Sequence, residues 1–153
     1  MTESTGLRLP PTAVDLIEGG PLGHVVTLNE DGSPHVTCVW VGIDDGDIFF
    51  ASMFNYRKTK NLMRDARVAL SVESLQFHGS GLRQYLTVTG RGEVVKGGAF
   101  DLIRKLANIY IAPGAEIPPA ELKVHPGYVT RIHVEEIGGV GPWAGDPPKL
   151  PSK

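Results

Sequence analysis

Four cations, Arg57, Lys58, Lys60 and Arg64, fall within the eight residues RKTKNLMR that follow Tyr56. Arg57 offers a planar fork suited to two oxygens of one phosphate, and Lys58 a compact point charge. If the stretch is a helix, the free N–H groups of its first turn add donors that favour an anion. Asn61, three residues beyond Lys58, can add an amide donor, whereas Leu62 would face a core. The chemistry on offer is anion binding, of a phosphate above all. The bland alternative is a solvated basic face on which Lys60 and Arg64 meet only Asp65 or water, at little energetic value. Residue types alone leave both open, and a solvated face is the commoner use of such a run.

Other side chains could act beside this cluster. His24 and His35 lie near the ends of early strands and could act in acid–base chemistry, and His78, in a glycine-punctuated loop, could approach a substrate, although a hydrogen-bonded turn histidine is the more ordinary role. His125 and His133 lack a companion ligand motif, and no metal site and no catalytic residue is assigned. Trp40, Tyr56 and Tyr85 could border a planar ligand or pack a core, and Tyr56 adjoins Arg57. Trp143, in the setting GPW, can turn the chain toward a cleft or anchor the last loop. His78, Tyr85 and Trp143 are therefore candidates for a substrate pocket. Cys38 is the only cysteine, which excludes an intrachain disulfide and any multi-cysteine zinc or iron–sulfur site; it can face a ring or pack as a small hydrophobe.

The chain of 153 residues with 41% hydrophobic content suits one domain over 1–153, with an ordered core over 11–143 and flexible termini. Lys plus Arg number 15 against 17 Asp plus Glu, so no global basic field points to nucleic acid, and any anion site must be local. The opening MTESTGLRLP has no apolar run after a basic start, and no stretch approaches the length needed to span a membrane. The expectation is a soluble, cytoplasmic protein.

Periodicity gives the scaffold that carries these groups. Ala13, Leu16 and Ile17 predict a helix over Pro11–Glu18, stopped by Gly19, Gly20 and Pro21. LGHVVTL, PHVTCVWVGI and IFFAS read as a three-strand meander joined by Asp-Gly turns. A short helix follows over Arg57–Arg64, then the strand RVALSVE, a polar loop SLQFHGSGLRQ and the strand YLTVTGRGEVV. Phe100, Ile103, Leu106, Ala107 and Tyr110 form the stripe of a helix over 98–111, and APGAEIPPAELKVHP is a proline-rich excursion before the last strand, YVTRIHVEEI. The tail beyond Trp143 is expected to be weakly ordered. Such a chain is mainly β with short helices, antiparallel, and curled into a barrel that removes exposed edges.

The order and spacing of GHVVTLNEDGSPHVTCVWV, IFFASMFNYRKTKNLMRDARVALSV, YLTVTGRGEVV and RIHVEEIGGVGPW resemble the split β-barrel superfamily of pyridoxamine 5′-phosphate oxidase-like, FMN-binding proteins, from Leu16 to Trp143. Within it the chain resembles the group B flavin/deazaflavin oxidoreductases that use coenzyme F-420. The resemblance implies a homodimer with interfacial cofactor sites. It implies phosphate contacts from Arg57 and Lys58, with Thr59, Lys60 and Asn61 nearby, while Thr37, Cys38, Val39 and Trp40 border the ring or tail beside Ala51 and Ser52. Thr37 stands in the neighbourhood where the oxidases often have a flavin-binding arginine, and the fuller basic set of those enzymes is missing, which favours the deazaflavin group. The implied function is hydride transfer from reduced coenzyme F-420 to a small conjugated acceptor. The alternatives are an FMN-dependent oxidoreductase or flavin reductase, and a noncatalytic carrier of a flavin, deazaflavin or haem-like ligand. Nothing in the sequence selects the substrate.

Overall fold

A computed structural model describes residues 6–145. In chain order the elements are α1 (Pro11–Glu18), β1 (Leu22–Leu28), β2 (Pro34–Trp40), β3 (Gly42–Asp44), β4 (Asp47–Ser52), α2 (Arg57–Arg64), β5 (Arg67–Phe77), β6 (Arg83–Lys96), α3 (Ala99–Tyr110), a 3-10 turn at Ala120–Val124 and β7 (Tyr128–Val140). Both short helices begin and end where periodicity puts them. Most of the termini expected to be flexible lies outside the described residues; within them, Leu7 N–H donates to the Val134 carbonyl at 2.7 Å and Leu9 is buried. Among the described residues no helix is long and apolar enough to cross a membrane.

Among the described residues the strands form one antiparallel sheet in the order β2-β1-β5-β6-β7-β4-β3. It curls until β2 meets β4 across the opening, giving a half-open barrel. The expected three-strand meander is not what forms. β1 and β2 make a hairpin, closed by Asn29 N–H to Ser33 C=O at 2.8 Å, but β1 takes β5 as its other neighbour, while β4 pairs with β3 and β7. Burial of the β1 side chains against β5 and β6 outweighs the sequence proximity of β4, and periodicity carries no information on that choice.

PHVTCVWVGI is likewise two strands, broken at Val41, because both backbone groups of Val41 lie 3.0 Å from the Tyr110 hydroxyl on α3. The polar segment expected as a loop over 74–84 is mostly strand: β5 runs to Phe77, β6 starts at Arg83, and Phe77 pairs with Arg83. Backbone pairing extends the hairpin there without burial, since Leu75 remains 92% exposed. β7 continues past the expected end to Val140 because Gly139, at φ +101°, lets the strand approach Tyr85 so closely that a Cβ would meet the Tyr85 carbonyl.

Successive residues of a strand face opposite sides, and β4 uses this to hold two cores. Phe50 points into the barrel with Val25, Val72, Leu86 and Ile132, joined by Ile17 of α1 and Leu62 of α2. Phe49 points outward and packs with Ala99, Ile103 and Leu106 of α3, with Met53 and Val129 alongside. Each fully buried Phe contributes about 2 kcal/mol of apolar transfer, so this second patch is enough to dock α3 against the sheet. Gly127, at φ +61°, opens β7 where a Cβ would lie 2.9 Å from Ser52 O and 2.5 Å from Ala99 Cβ. The close contact brings α3, β4 and β7 together at one end of the barrel.

Candidate functional site

α2 starts at Arg57 because Tyr56 is extended and its carbonyl accepts from the N–H groups of Thr59 at 3.0 Å and Lys60 at 3.1 Å. Three side chains of the helix are buried: Leu62 in the barrel, Thr59, and Asn61 at 4% exposure. The Asn61 amide donates to Thr27 Oγ1 at 3.0 Å and Asn29 Oδ1 at 3.1 Å, and its carbonyl lies 3.4 Å from both terminal nitrogens of Arg64. Arg64 also donates to the Leu28 carbonyl. These bonds clamp α2 onto the β1–β2 hairpin. Because consecutive helical residues turn by about 100°, the clamp sends neighbouring cations to different sides.

Lys58 opens onto a cleft of about 400 Å³. One wall comes from Cys38, Val39 and Trp40 of β2, a second from Ala51 and Ser52 of β4 with Met53, Phe54 and Tyr56, and a third from Ile103 and Leu106 of α3. Ile117, Pro118, Pro119 and Leu122 of the proline-rich excursion complete it beside Leu22. The excursion is tied to α3 by Arg104 Nε, which donates to the Pro118 carbonyl at 3.0 Å. Burial holds the Lys58 ammonium below the usual lysine pKa. Its Nζ lies 4.8 Å from the Tyr56 ring centroid, and among the described residues no carboxylate pairs with it. Trp40 is stacked on Tyr110, with centroids 5.4 Å apart and planes 16° from parallel. Ser52 Oγ donates to the Phe54 carbonyl at 2.9 Å, and the Cys38 thiol is exposed.

Seven of the residues expected beside a cofactor, Cys38, Val39, Trp40, Ala51, Ser52, Tyr56 and Lys58, thus line one cleft. Arg57, Lys60 and Asn61 line another, of about 670 Å³, with Arg64 and the turn residues Asn29, Glu30, Asp31 and Ser33. Thr59 is packed beneath the helix, and Thr37, opposite Val25, lines neither. His78 sits at the β5–β6 turn, its Nδ1 2.9 Å from Ser80 Oγ. Trp143 lines a third cavity of about 780 Å³ with His24, Glu73 and Arg83, and its Nε1 donates to the Tyr85 carbonyl at 3.0 Å. Within one chain, none of His78, Tyr85 and Trp143 lines the Lys58 cleft.

The sequence leaves two readings of the helix over 98–111 and the following APGAEIPP, as a wall of the pocket or as a buried dimer face, and within one chain Ile103, Leu106, Ile117, Pro118 and Pro119 from these segments line the Lys58 cleft. The available signals were the helical stripe itself and the paired Pro118 and Pro119, which hold an extended segment against it. Among the described residues neither histidine nor carboxylate lines the Lys58 cleft, so its side chains offer binding and orientation, with polar hydrogens at Lys58 Nζ, Cys38 Sγ, Tyr56 Oη, Ser52 Oγ and Trp40 Nε1.

Residues 9–141 match the family described as pyridoxamine 5′-phosphate oxidase. The chain belongs to the pyridoxamine 5′-phosphate oxidase family. Its half-open antiparallel barrel with short helices is the architecture of that family. Among solved structures, the family member is similar to one described as an F-420 reductase, with 25% identity and a TM-score of 0.67 over 85% of this chain and 98% of that one. A conserved hypothetical protein from Mycobacterium tuberculosis is 21% identical, with a TM-score of 0.68 over 100% of this chain and 93% of that one. HutZ, the haem storage protein from Vibrio cholerae, is 16% identical, with a TM-score of 0.63 over 87% of this chain and 95% of that one. The last two likenesses are of fold. No protein of curated function matches the chain in sequence.

Proposed function

We propose that the protein is an oxidoreductase that holds a phosphate-bearing flavin-type cofactor in the Lys58 cleft, with reduced coenzyme F-420 as hydride donor to a small conjugated acceptor. The observation that carries this reading is Lys58 itself: a partly desolvated ammonium beside an apolar cleft, without a carboxylate partner among the described residues. A buried cation without a counter-charge opposes folding, and a ligand phosphate relieves that cost. The residues fit such a group: the cleft has the volume of a small-molecule site, one charged anchor and a flat indole wall at Trp40.

When bound, the cofactor supplies the hydride. Lys58 would hold its phosphate, and Trp40 would support its ring. Ile103, Leu106 and Ile117 would exclude water, which strengthens the Lys58 contact. The likeness to a structure described as an F-420 reductase supports the deazaflavin. Family membership supports FMN as the competing cofactor, because one lysine suits either phosphate. A haem carrier is the weaker reading: among the described residues no histidine lines the cleft. Exposed Leu75, Phe77 and Leu82 on the β5–β6 hairpin support pairing of two copies, which would add partner groups to the site.

Parallel titration of the purified protein with coenzyme F-420 and FMN tests the reading. Saturable binding of F-420, with loss of the reduced-state absorbance only after an acceptor is added, is the expected result. Preference for FMN transfers the reaction to a flavin, and binding of neither overturns the proposal.

A further inference from the structure

Tyr110 ends α3, 52 positions after Lys58 in the chain, yet it organises one wall of the Lys58 cleft. Its ring covers one face of Trp40. Its hydroxyl oxygen accepts from Val41 N–H at 3.0 Å and lies 2.5 Å from the Pro21 carbonyl oxygen and 3.0 Å from that of Val41. A hydroxyl has one hydrogen to donate, and the shorter distance favours Pro21. Val41 is the point where the chain leaves β2 for β3, and Pro21 immediately precedes β1. One phenol therefore joins the end of α3, the α1–β1 connection and the strand break. Trp40, next to Val41, is held through both its ring and its backbone.

Packing alone does not account for this side chain. The neighbouring positions on the same helical stripe, Ile103 and Leu106, are filled by aliphatic groups, and Phe would stack on Trp40 equally well. A partly buried hydroxyl is tolerated only with partners, and here it has three backbone groups within reach. Burial also raises the phenol pKa above 10.0, so the proton needed for the Pro21 or Val41 contact is retained through the neutral range.

We propose that Tyr110 is a positioning residue: it locks Trp40 as a rigid platform, so that the Lys58 cleft selects ligands with a flat aromatic ring system that stack on the indole. Preorganisation of this kind raises affinity because the side chain loses little freedom when the ligand arrives. The inference deepens the proposed function and rests on the same cleft as ligand site.

The test uses full-length protein carrying Trp143→Phe, which leaves Trp40 as the only one of the two tryptophans. Tyr110→Phe keeps the stack and loses the clasp; Tyr110→Leu loses both. Removing the hydroxyl is expected to weaken F-420 or FMN binding about two- to tenfold. Tyr110→Leu is expected to weaken it further, shift Trp40 emission to the red and leave the affinity for inorganic phosphate unchanged. A general loosening of the fold would weaken phosphate binding as well, which would overturn the proposal. In a Trp40→Ala background, Tyr110→Leu should cost no further ring-ligand affinity; an undiminished cost there shows that Tyr110 does not act through Trp40. If neither cofactor binds the parent protein, the proposed function fails, and Trp40 emission in the ligand-free variants still judges Tyr110. Emission unchanged by Tyr110→Leu overturns the positioning role, and a red shift upholds it.

Discussion

Arg57 and Lys58 are adjacent in the chain and open onto different clefts. Lys58 stands among Trp40, Tyr56 and the apolar side chains of α3, and burial lowers its pKa. Arg57 faces the β1–β2 turn with Lys60 and Arg64, where Glu30 and Asp31 temper the positive charge. A basic run on one short helix is thus divided into a desolvated cation and a hydrated group, and the two halves should respond differently to substitution.

Lys58→Met is expected to weaken binding of a cofactor phosphate about 10- to 100-fold, the worth of a charge-assisted contact, whereas Arg57→Met changes it about fivefold or less. The same Lys58→Met change should leave the melting temperature unchanged or raise it. Lysine in the folded state has a pKa below 10.5, so the unfolded chain binds more protons in the window between the two values and stability rises with pH across it. Methionine removes that window. Isothermal titration and calorimetric melting at several alkaline pH values measure both effects.

Asn61→Ala should cost about 1–3 kcal/mol of stability, because it removes a buried amide that bonds Thr27 and Asn29 and leaves the Thr27 hydroxyl without it. Urea unfolding reads the loss. Wild-type stability in that variant would show that Asn61 is available to a ligand instead of fixing α2 to the hairpin.

Asp65 accepts hydrogen bonds from the Arg67 side chain, one at 2.7 Å, and from its backbone N–H at 3.2 Å, which hold the carboxyl down from 3.8 to about 2. Its contribution to stability is therefore fully present above 3.8 and is lost as the pH falls through about 2. Carboxyl-carbon NMR should give a midpoint near that lower value, and Asp65→Asn should remove this part of the acid limb. A midpoint at the ordinary aspartate value would show that the Arg67 contacts do not persist in solution.

Gly127→Ala should destabilise the fold by about 2 kcal/mol or more, combining left-handed backbone strain with overpacking against Ser52 and Ala99. Since Ser52 borders the Lys58 cleft, ring-ligand affinity should fall with stability. A thermal melt beside a cofactor titration tests the coupling.

Local chemistry made much of this legible. The stripe Ala13, Leu16, Ile17 and the glycines that follow it mark α1, and the change of period after Tyr56 marks α2, because helix periodicity and its stop signals are written in adjacent residues. The barrel class follows from short alternating segments that need partners and cannot leave long edges open. The segment 74–84 departs from its expected loop for a related reason. Its polar, glycine-punctuated composition resembles a loop, while the strand there is sustained by backbone pairing with a hairpin partner and not by burial.

Residue type and near-neighbour spacing dictate the charges, the aromatic groups and the local periods, together with the family that the segment order resembles, so these are legible along the chain. The packed fold alone shows that β1 pairs with β5 and not β4, that Tyr110 splits one expected strand at Val41, and that Lys58 and Arg57 part company. Each of these outcomes is set by contacts between residues far apart in the chain, where the area buried and the hydrogen bonds satisfied outweigh local preference.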